Sequence, residues 1–229
     1  MIVTIHQPEH LIWLGLIRKI YDADVFVIMD SVQYSHGNVQ NRNKIRTKDG
    51  WEWITVPTAK HPLATKIKDV RISYAVDWQR KYLNALKTNY GAASFFDVYY
   101  PEIEEIILKN HKLLADLNIE IIMFLLKSFG INDKKIIKLS DMDIGNPQGG
   151  SDIILEICKK IGIDHYLAGP GGRNYMKLDD FKREGIQVTF HEFHHPNYLQ
   201  LHEPFLPYMS SIDLLFNHGP EAKKILFGN

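Results

Sequence analysis

Short runs of consecutive apolar residues alternate with helical patterns along much of the chain. One apolar run covers Ile2 to Ile5, a helical pattern follows at about 11–21, and a second apolar run leads to Asp30. Apolar runs joined by a helix are typical of parallel strands that are buried on both faces. The chain is therefore predicted to begin with a β-α-β unit.

The second half of the chain repeats this alternation. Strand-like segments at 135–139, 164–168 and 187–193 are separated by helical segments that begin near Ser151 and Leu178. Strand, helix and strand in succession indicate a parallel sheet with crossover helices. We predict an α/β fold in which these strands join the N-terminal ones in one mainly parallel, Rossmann-like sheet with flanking helices.

An antiparallel hairpin is predicted between the first β-α-β unit and the middle of the chain. Segments 44–47 and 51–57 flank Lys48-Asp49-Gly50, and Asp-Gly readily adopts the positive φ angles of a tight turn. A polar loop at 41–43 is expected to precede the hairpin. Another short strand is predicted at 66–71.

The middle of the chain is predicted to be a helical insertion, about 77–130. Asp77 is a favourable N-cap, Pro101 is expected to begin a second helix, and 119–129 a third. We predict a single α/β domain over residues 1–229, with this insertion as a helical subdomain. The tail is predicted to form two short helices, at 211–216 and 220–227.

The composition excludes several classes of protein. Hydrophobic residues make up 45% of the chain, and 27 basic residues balance 27 acidic ones, so net charge provides no attraction to nucleic acid. The N-terminus lacks a signal-peptide pattern, and the apolar stretch around 119–126 is too short to span a bilayer. The single cysteine, Cys158, fits a reducing compartment. We expect a cytoplasmic protein with no membrane span and no nucleic-acid partner.

Candidate catalytic residues follow the first two strands. His6 comes directly after the first strand and Asp30 ends the second, at the sheet edge where α/β proteins bind ligands. An imidazole can exchange a proton near neutral pH. We predict His6 and Asp30 as the catalytic residues. A histidine that only caps a neighbouring backbone group is the alternative for His6.

Cationic and amide side chains in the predicted loops are the candidates for ligand binding. Guanidinium groups can hold two phosphate oxygens at once, which favours Arg42 and Arg173, with Lys44 and Arg46 as further candidates. Amides beside Arg42 suit a ligand rich in hydroxyl groups. The predicted substrate-binding residues are Gln7, Tyr34, Asn41, Arg42, Asn43, Gly171, Gly172, Arg173, His195 and Tyr198.

Two glycine-rich turns precede helical segments. Loop 169–174 follows a buried strand, and its glycines allow backbone N–H groups to approach a phosphate. It has neither the Gly-Lys-Ser/Thr of a P-loop nor the Gly-x-Gly-x-x-Gly of a dinucleotide site, and a plain turn that needs positive φ is the alternative. A second turn at 145–150 makes a nucleotide or sugar-nucleotide cleft more credible. No cofactor is identified.

A histidine-rich segment near the end of the last strand contains residue types that bind metals. His191 and His194 point to opposite faces of a strand, so we predict no metal there. We instead expect loop 195–198 to lie over the cleft, with His195 and Tyr198 in contact with a ligand. Asp213 is predicted to act as a helix cap, and a catalytic carboxylate is the alternative. The other residues of the considered cluster are Glu192, His195 and His202.

Motifs spread over nearly the whole chain resemble the WbqC-like protein family. They include His6-Gln7-Pro8, Trp13-Leu14-Gly15, Gln33-Tyr34, Asn41-Arg42-Asn43, Tyr166-Leu167-Ala168-Gly169, His195-Pro196-Asn197-Tyr198 and Phe205-Leu206-Pro207. The chain departs from the family pattern at His10, where an aromatic residue is common, and at Ile12, which replaces a usual proline. Family members often lie among genes for bacterial surface-polysaccharide (O-antigen) assembly, so the resemblance implies that pathway.

These patterns and the resemblance together favour a transferase that acts on a nucleotide-activated sugar or on its amino group. The expected partner is a small molecule, a phosphate-containing sugar or nucleotide. One alternative is a nucleotidyltransferase-like enzyme with histidines in its first turn, and another is a non-enzymatic sugar- or nucleotide-binding protein. We expect His6, Asp30 and loop 169–174 to line one cleft, with loops 41–43 and 195–198 at its sides.

Overall fold

The computed structural model describes residues 1–228. A five-stranded parallel sheet with flanking helices and a separate two-stranded antiparallel sheet confirm the predicted α/β class. Backbone contacts divide the chain into two compact units. The first unit comprises residues 1–7, 18–31 and 133–194, and the second comprises 8–17, 32–132 and the chain from 195 on. The prediction of one domain over 1–229 stays a prediction.

The strands are β1 (Ile2–His6), β2 (Val25–Ile28), β3 (Arg42–Thr47), β4 (Gly50–Thr55), β5 (Lys135–Lys138), β6 (His165–Ala168) and β7 (Gln187–Phe190). The α-helices are α1 (Leu14–Tyr21), α2 (Trp78–Tyr90), α3 (Phe96–Leu108), α4 (Leu114–Ser128), α5 (Gly150–Ile161), α6 (Leu178–Arg183), α7 (Ile212–His218) and α8 (Glu221–Phe227). Short 3-10 helices lie at Ile67–Asp69, Leu139–Asp141 and Pro170–Asn174.

The parallel sheet of the first unit has the strand order β5-β2-β1-β6-β7. The chain moves from β1 outward through β2 to β5, then returns to the other side of β1 as β6 and β7. The direction of winding therefore reverses between β1 and β6. In open α/β sheets, the carboxyl ends of the two strands at such a reversal form the crevice in which ligands bind.

Buried aliphatic and aromatic residues explain the position of the central strands. Val3 of β1 is paired with Val25 of β2 on one side and Tyr166 of β6 on the other, and all three are buried. Every residue of β2 is buried, as expected for a strand covered on both faces. Full burial of a side chain such as Phe26 contributes about 1.5–3 kcal/mol.

The second unit contains the predicted hairpin, formed by β3 and β4 with Arg46 opposite Trp51. Alternation along the strands places Ile45 and Ile54 on the buried face. Arg42 and Asn43 belong to β3, so the prediction of a free 41–43 loop was wrong for these two residues. Thr55, the residue of β4 opposite Arg42, is still in extended backbone. The pairing of β3 with β4 therefore continues as far as Arg42.

Two helices of the second unit begin earlier than the sequence indicated. Helix α3 starts at Phe96 and contains Pro101, and α4 starts at Leu114. The rings of Phe96 and Tyr100 stack with centroids 4.6 Å apart and are buried, and this burial offsets the hydrogen bond that Pro101 cannot donate. No helix among residues 1–228 is long and apolar enough to cross a membrane.

The predicted strand at 66–71 is instead a 3-10 turn at Ile67–Asp69. Only isolated bridges flank it, from Lys66 to Gln33 and from Arg71 to Leu113. Ile67 and Val70 are both buried, and their spacing of three residues suits a helical turn better than an alternating strand. The prediction of a strand at 66–71 was therefore wrong.

A tight aromatic contact explains the Trp-x-Gly motif of the second unit. A Cβ on Gly15 would lie 2.2 Å from a ring atom of Trp13. Such a distance is well inside van der Waals contact, so any side chain here would displace the indole. Glycine at this position is needed for close packing, not for a special φ angle.

Arg46 is a buried cation that holds backbone carbonyl groups together. Its Nη1 donates to the carbonyl oxygens of Thr47 and Gly50, and its Nη2 donates to those of His202 at 3.1 Å and Pro204 at 2.9 Å. All four acceptors lie in the second unit. The proposal that Arg46 binds an anionic ligand is therefore replaced by a structural role.

We expect Arg46→Ala to lower the free energy of unfolding by about 3 kcal/mol, because buried carbonyl groups would lose charge-assisted hydrogen bonds. Urea unfolding followed by circular dichroism measures this change. The matched control is Arg80→Ala, which removes an exposed ion pair with Asp77 and should cost less than about 1 kcal/mol. Equal losses for the two variants would contradict a structural role for Arg46.

Candidate functional site at the carboxyl ends of the central strands

Three predicted site positions lie at the same edge of the parallel sheet. His6 is the last residue of β1, Asp30 lies two residues after β2, and Gly169 follows β6 directly. His6 is in register with Ile28, and its carbonyl oxygen accepts a hydrogen bond from Met29 N at 2.8 Å. The carboxyl ends of β2, β1 and β6 are therefore adjacent, as the sequence predicted.

Asp30 is 3% exposed, and both its carboxylate oxygens accept hydrogen bonds. Oδ1 accepts from Ser140 N at 2.9 Å and from Ser31 Oγ at 3.2 Å, and Oδ2 accepts from Ser140 Oγ at 2.6 Å. Ser140 follows β5, so Asp30 joins the carboxyl ends of two neighbouring strands. Its proposed catalytic role stays a prediction, and these contacts give it a positioning role.

His6 is partly buried, and its ring is held in one tautomer. Its Nδ1 donates to the carbonyl oxygen of Gln7 at 3.2 Å, which leaves the lone pair on Nε2. Burial, and then the positive charge of Lys19, lower the pKa of His6 from 6.5 to about 3, against an opposing contribution from the Gln7 hydrogen bond. The imidazole is therefore uncharged at neutral pH. The Gln7 side chain is also partly buried.

Lys19 is a residue of this site that the sequence patterns did not indicate. It is 4% exposed, and its Nζ donates to the carbonyl oxygen of Ile5 at 3.3 Å. A Cβ on Gly169 would lie 3.8 Å from the same Nζ. The ammonium group thus lies at the carboxyl ends of β1 and β6, where the winding of the sheet reverses.

The position of Lys19 in the helical pattern is the signal from which it could have been found. It lies in α1 between Leu16 and Ile20, both of which are buried, so the lysine falls within the apolar stripe of the helix. Buried lysines are rare, and they are often functional when they occur beside a predicted ligand site.

The glycine-rich loop after β6 forms the 3-10 helix Pro170–Asn174. Positive φ angles occur at Gly145 and Gly149 of the other turn, but at none of the glycines of this loop. A Cβ on Gly172 would lie 3.0 Å from Met176 Sδ and 3.3 Å from the Phe190 ring. A Cβ at 172 would therefore crowd Met176 and Phe190, whereas no glycine of this loop has a positive φ angle, which corrects the alternative of a turn that needs positive φ. Gly171 has open space around its Cα.

Arg173 lies in this same loop with its guanidinium group exposed. Its Cζ is 4.3 Å from the centroid of the Phe190 ring, and its Nη2 is 3.9 Å from Glu192 Oε1. Stacking on an aromatic ring leaves guanidinium N–H groups available around its edge. His6 ends β1 and Arg173 lies in the loop after the adjacent strand β6, so the two residues are not at opposite ends of the sheet.

The asparagine side chains that we predicted to bind a ligand instead donate hydrogen bonds to the backbone of the second unit. Asn43 Nδ2 donates to the carbonyl oxygens of His10 at 3.0 Å and Leu11 at 2.8 Å, and Asn41 Nδ2 donates to that of Val56 at 2.9 Å. Leu11 has φ of 44°, a conformation that is rare for leucine, and the Asn43 bonds help to hold it there. A role in ligand binding for either amide stays a prediction.

Tyr34 and Arg42 occupy surroundings that differ from the expected exposed loop. Tyr34 is 2% exposed, and its ring meets the edges of His36 and His61 at centroid distances of 5.2 Å and 5.1 Å. Burial therefore removes Tyr34 as an open stacking surface. The Arg42 guanidinium group donates to the carbonyl oxygen of Gly37 and lies 4.3 Å above the Trp53 ring centroid.

His195 and Tyr198 also make contacts within the second unit. Tyr198 OH donates to Oδ2 of the buried Asp213 at 2.8 Å, and Gln200 Nε2 donates to the same oxygen at 2.9 Å. Burial raises the pKa of Asp213. His195 Nδ1 donates to the Pro196 carbonyl oxygen at 2.9 Å, and burial lowers its pKa. Asp213 is therefore the acceptor of a buried network and not the helix cap that we predicted.

His10 forms part of a second buried network. Its Nδ1 donates to Asn118 Oδ1 at 2.9 Å, and its Nε2 accepts from Tyr82 OH at 2.8 Å. Asn118 Nδ2 donates to the carbonyl oxygens of Pro8 and Gln40 at 2.8 Å and 2.7 Å. With both ring nitrogens engaged and no exposed surface, His10 cannot serve as the second phosphate-binding histidine of the nucleotidyltransferase alternative.

The histidine-rich segment shows no arrangement of metal ligands. His191 Nε2 lies 3.3 Å from Asp22 Oδ2, and Arg18 Nε donates to both oxygens of the same carboxylate. Within residues 1–228, no three or more histidine, cysteine, aspartate or glutamate side chains are placed to hold a metal ion.

The reversal of winding at β1 and β6 gives the first unit a doubly wound α/β fold, and charged and titratable groups lie beside the reversal. The chain belongs to the WbqC-like protein family, whose model matches residues 7–225. It is 31% identical over 227 residues to the uncharacterized protein Rv1507c of Mycobacterium tuberculosis (strain ATCC 25618 / H37Rv), covering 98% of this chain and 96% of that protein. No solved structure matches the chain.

The His10 network predicts a dependence of stability on pH. Burial lowers the pKa of His10 from 6.5 to about 4, so between these values the unfolded chain binds a proton that the folded protein does not. The free energy of unfolding should therefore fall by roughly 3 kcal/mol as the pH drops from about 6.5 to about 4. This is the contribution of His10 alone.

Urea unfolding of wild type and His10→Gln across this pH range measures how much His10 contributes to the pH dependence of stability. The difference in unfolding free energy between the two proteins should shrink as the pH falls, because glutamine does not titrate. A constant difference from pH 7 to pH 4 would show that His10 is not held neutral in the fold.

Proposed function

We propose that this protein is a transferase that acts on a nucleotide-activated sugar, or on the amino group of such a sugar, during assembly of a bacterial surface polysaccharide. The observation that carries the proposal is the buried ammonium group of Lys19 beside the neutral His6 at the switch point of the sheet. The family resemblance supports the pathway, and the sheet geometry supports the ligand class.

A phosphate group is the ligand that fits this position best. Lys19 is 4% exposed, and in such a buried position the electrostatic attraction of an ammonium group to an anion is stronger than in water. The chain has no net charge, so a phosphate must be held by local cations. Lys19 and the exposed Arg173 supply two such cations on elements that end at the same sheet edge.

His6 would handle the proton in the reaction. In the proposed step, an acceptor oxygen or nitrogen forms a bond to the transferred group while the bond to the nucleotide phosphate breaks. The electron pair leaves with the phosphate, and the acceptor proton moves to His6 Nε2. A bound phosphate offsets the charge of Lys19 and so raises the pKa of His6, which makes proton acceptance more favourable once the substrate is bound.

A non-enzymatic sugar- or nucleotide-binding protein is the second candidate. The specific observation in its favour is the pKa of His6, about 3, because an effective general base has a pKa near the working pH. A carrier needs the cation at Lys19 and no proton transfer at His6. Separate measurements of binding and of turnover distinguish the two candidates.

We expect His6→Asn to reduce turnover by about 10²-fold or more and to leave ligand affinity nearly unchanged, because asparagine keeps a donor and loses the proton acceptor. The assay incubates UDP-, GDP- and dTDP-activated sugars with amino-acid, acyl and sugar acceptors and follows nucleotide release by chromatography. Equal turnover by wild type and His6→Asn would remove His6 from the mechanism. Binding by wild type without conversion of any donor would favour the carrier.

We expect Lys19→Met to weaken nucleotide binding by about 10- to 100-fold, the loss of one charge-assisted contact of about 1.5–3 kcal/mol. Methionine keeps the unbranched apolar stem of the side chain and removes its charge, so the fold should be retained. Thermal shift measures affinity, because ligand at 100 times its dissociation constant stabilises the fold by about 2.7 kcal/mol.

The matched control is Lys159→Met, which removes a lysine paired with Glu156 on the exposed surface of α5. It should bind nucleotides as the wild type does. The proposed phosphate position is contradicted if Lys19→Met and wild type show the same affinity for every nucleotide that binds.

A further inference from the structure

The hairpin of the second unit has one face that is packed against the protein and one that meets solvent. Ile45 and Ile54 belong to the packed face and are buried. Because side chains alternate along a strand, the residues on either side of them belong to the opposite face. Arg46 is on that side too but is buried and bonded to carbonyl groups. The outer face of the hairpin is therefore formed by Arg42, Lys44, Trp51, Trp53 and Thr55.

Two neighbouring tryptophans form the centre of the outer face. Trp51 is 44% exposed and Trp53 is 38% exposed, and their rings meet edge to face with centroids 5.5 Å apart. Tryptophan is highly buried on average in folded proteins, because its side chain carries a large apolar area. Two exposed indoles side by side are therefore typical of a surface that binds a partner.

Both cations of the outer face lie against these indoles. The Lys44 Nζ is 4.2 Å from the centroid of the Trp51 ring and 5.7 Å from that of Trp53, and the Arg42 Cζ is 4.3 Å from the Trp53 centroid. Such contacts hold the cations beside the rings, and an ammonium or guanidinium group in this position still has N–H groups to donate to an anion.

Positive and negative charges are separated between the two sides of the hairpin. Glu52 is the acidic residue of the two strands, and it alternates with Trp51 and Trp53. Its Oε1 accepts a hydrogen bond from Asn89 Nδ2 of α2 at 2.9 Å, which holds the carboxylate on the other side. The outer face therefore carries two positive charges and no negative one, on a chain that has no net charge.

We propose that the outer face of the hairpin docks the protein on an anionic lipid membrane. Indole rings favour the boundary between headgroups and acyl chains, because they combine an apolar body with an N–H donor. Lysine and arginine beside them are attracted to the phosphate groups of anionic lipids. The contact is confined to the membrane surface and needs no spanning segment. It does not depend on the nucleotide site proposed at Lys19.

The arrangement favours a membrane over a single-stranded nucleic acid. Bases stack on open ring faces, whereas Lys44 covers one face of Trp51 and Arg42 covers one face of Trp53. The stretch 51–55 also spans only about 13 Å between its end Cα atoms, whereas a single-strand site covers about four nucleotides or more. A membrane interface requires neither an open ring face nor an extended track, because ring edges and flanking cations suffice.

The test measures co-sedimentation of the whole protein with sucrose-loaded vesicles. One set is phosphatidylcholine alone, and the other contains about 30% phosphatidylglycerol. Partition into the anionic vesicles should be about tenfold stronger or more at low salt, because each basic residue near an anionic surface contributes a factor of roughly 5. A salt concentration of about 0.5 M should remove most of this difference, because it screens the attraction.

Lys44→Gln should weaken partition into the anionic vesicles by roughly fivefold and leave partition into phosphatidylcholine unchanged, because it removes one charge from the outer face. The matched control is Lys159→Gln, which removes an exposed lysine paired with Glu156 on α5. The control should partition as the wild type does.

Bromine atoms on the lipid acyl chains report directly whether the indoles enter the membrane, because they quench tryptophan emission at short range. Anionic vesicles with brominated chains should quench the wild type. The double variant Trp51→Phe/Trp53→Phe keeps Trp13 and the buried Trp78 as emitters and should lose this quenching. Phenylalanine preserves apolar contact with Lys44 and Arg42, and thermal unfolding of the variant checks that the fold is retained.

Three outcomes would overturn the proposal. The first is equal partition of the wild type into the two kinds of vesicle, or partition into neither. The second is that brominated chains quench the double variant as strongly as the wild type. The third is binding to a twelve-residue thymidylate oligonucleotide that Lys44→Gln weakens, without binding to vesicles, which would assign the outer face to nucleic acid.

Discussion

Strand β1 forms parallel ladders on both sides, with β2 and with β6, and the organisation of the first unit depends on this double pairing. Parallel neighbours cannot be joined by a tight turn, so each connection must cross over the sheet. The strand order continues from β1 to β2 and β5 on one side and to β6 and β7 on the other, so the winding reverses between β1 and β6. His6, Lys19 and the loop after β6 lie at the carboxyl ends of these two strands.

Buried polar side chains that bind backbone carbonyl groups have the corresponding role in the second unit. Asn118, Asn43 and Arg46 each donate to carbonyl oxygens that are distant in sequence, and each is buried. Irregular backbone needs such partners because buried carbonyl groups without hydrogen bonds are costly. Several polar residues that resemble binding groups in the sequence are therefore used to hold the fold.

The parallel sheet could be predicted because apolar runs such as Val25–Ile28 are short, continuous and separated by helical patterns. The start of α3 could not, because Phe96 packs on Phe216 of α7, with ring centroids 5.1 Å apart, and this tertiary contact outweighs the local signal of Pro101. Strand ends in the sequence placed His6 and Asp30 at the carboxyl edge of the sheet, where the structure has them, and their functional roles stay predictions. The strand ends gave no sign of Lys19, which reaches the same edge from a helix. Polarity alone also failed to show that Asn43 and Tyr34 are buried.

The central claim is that a phosphate group binds beside Lys19 at the carboxyl ends of β1 and β6. The most direct measurement is a crystal structure of the protein with a nucleotide-activated sugar that stabilises it in thermal-shift assays. The account predicts electron density for a phosphate within hydrogen-bonding distance, about 2.7–3.2 Å, of Lys19 Nζ, with the transferred sugar toward His6 Nε2. A nucleotide bound with its phosphates away from Lys19 and from the loop after β6 would contradict it.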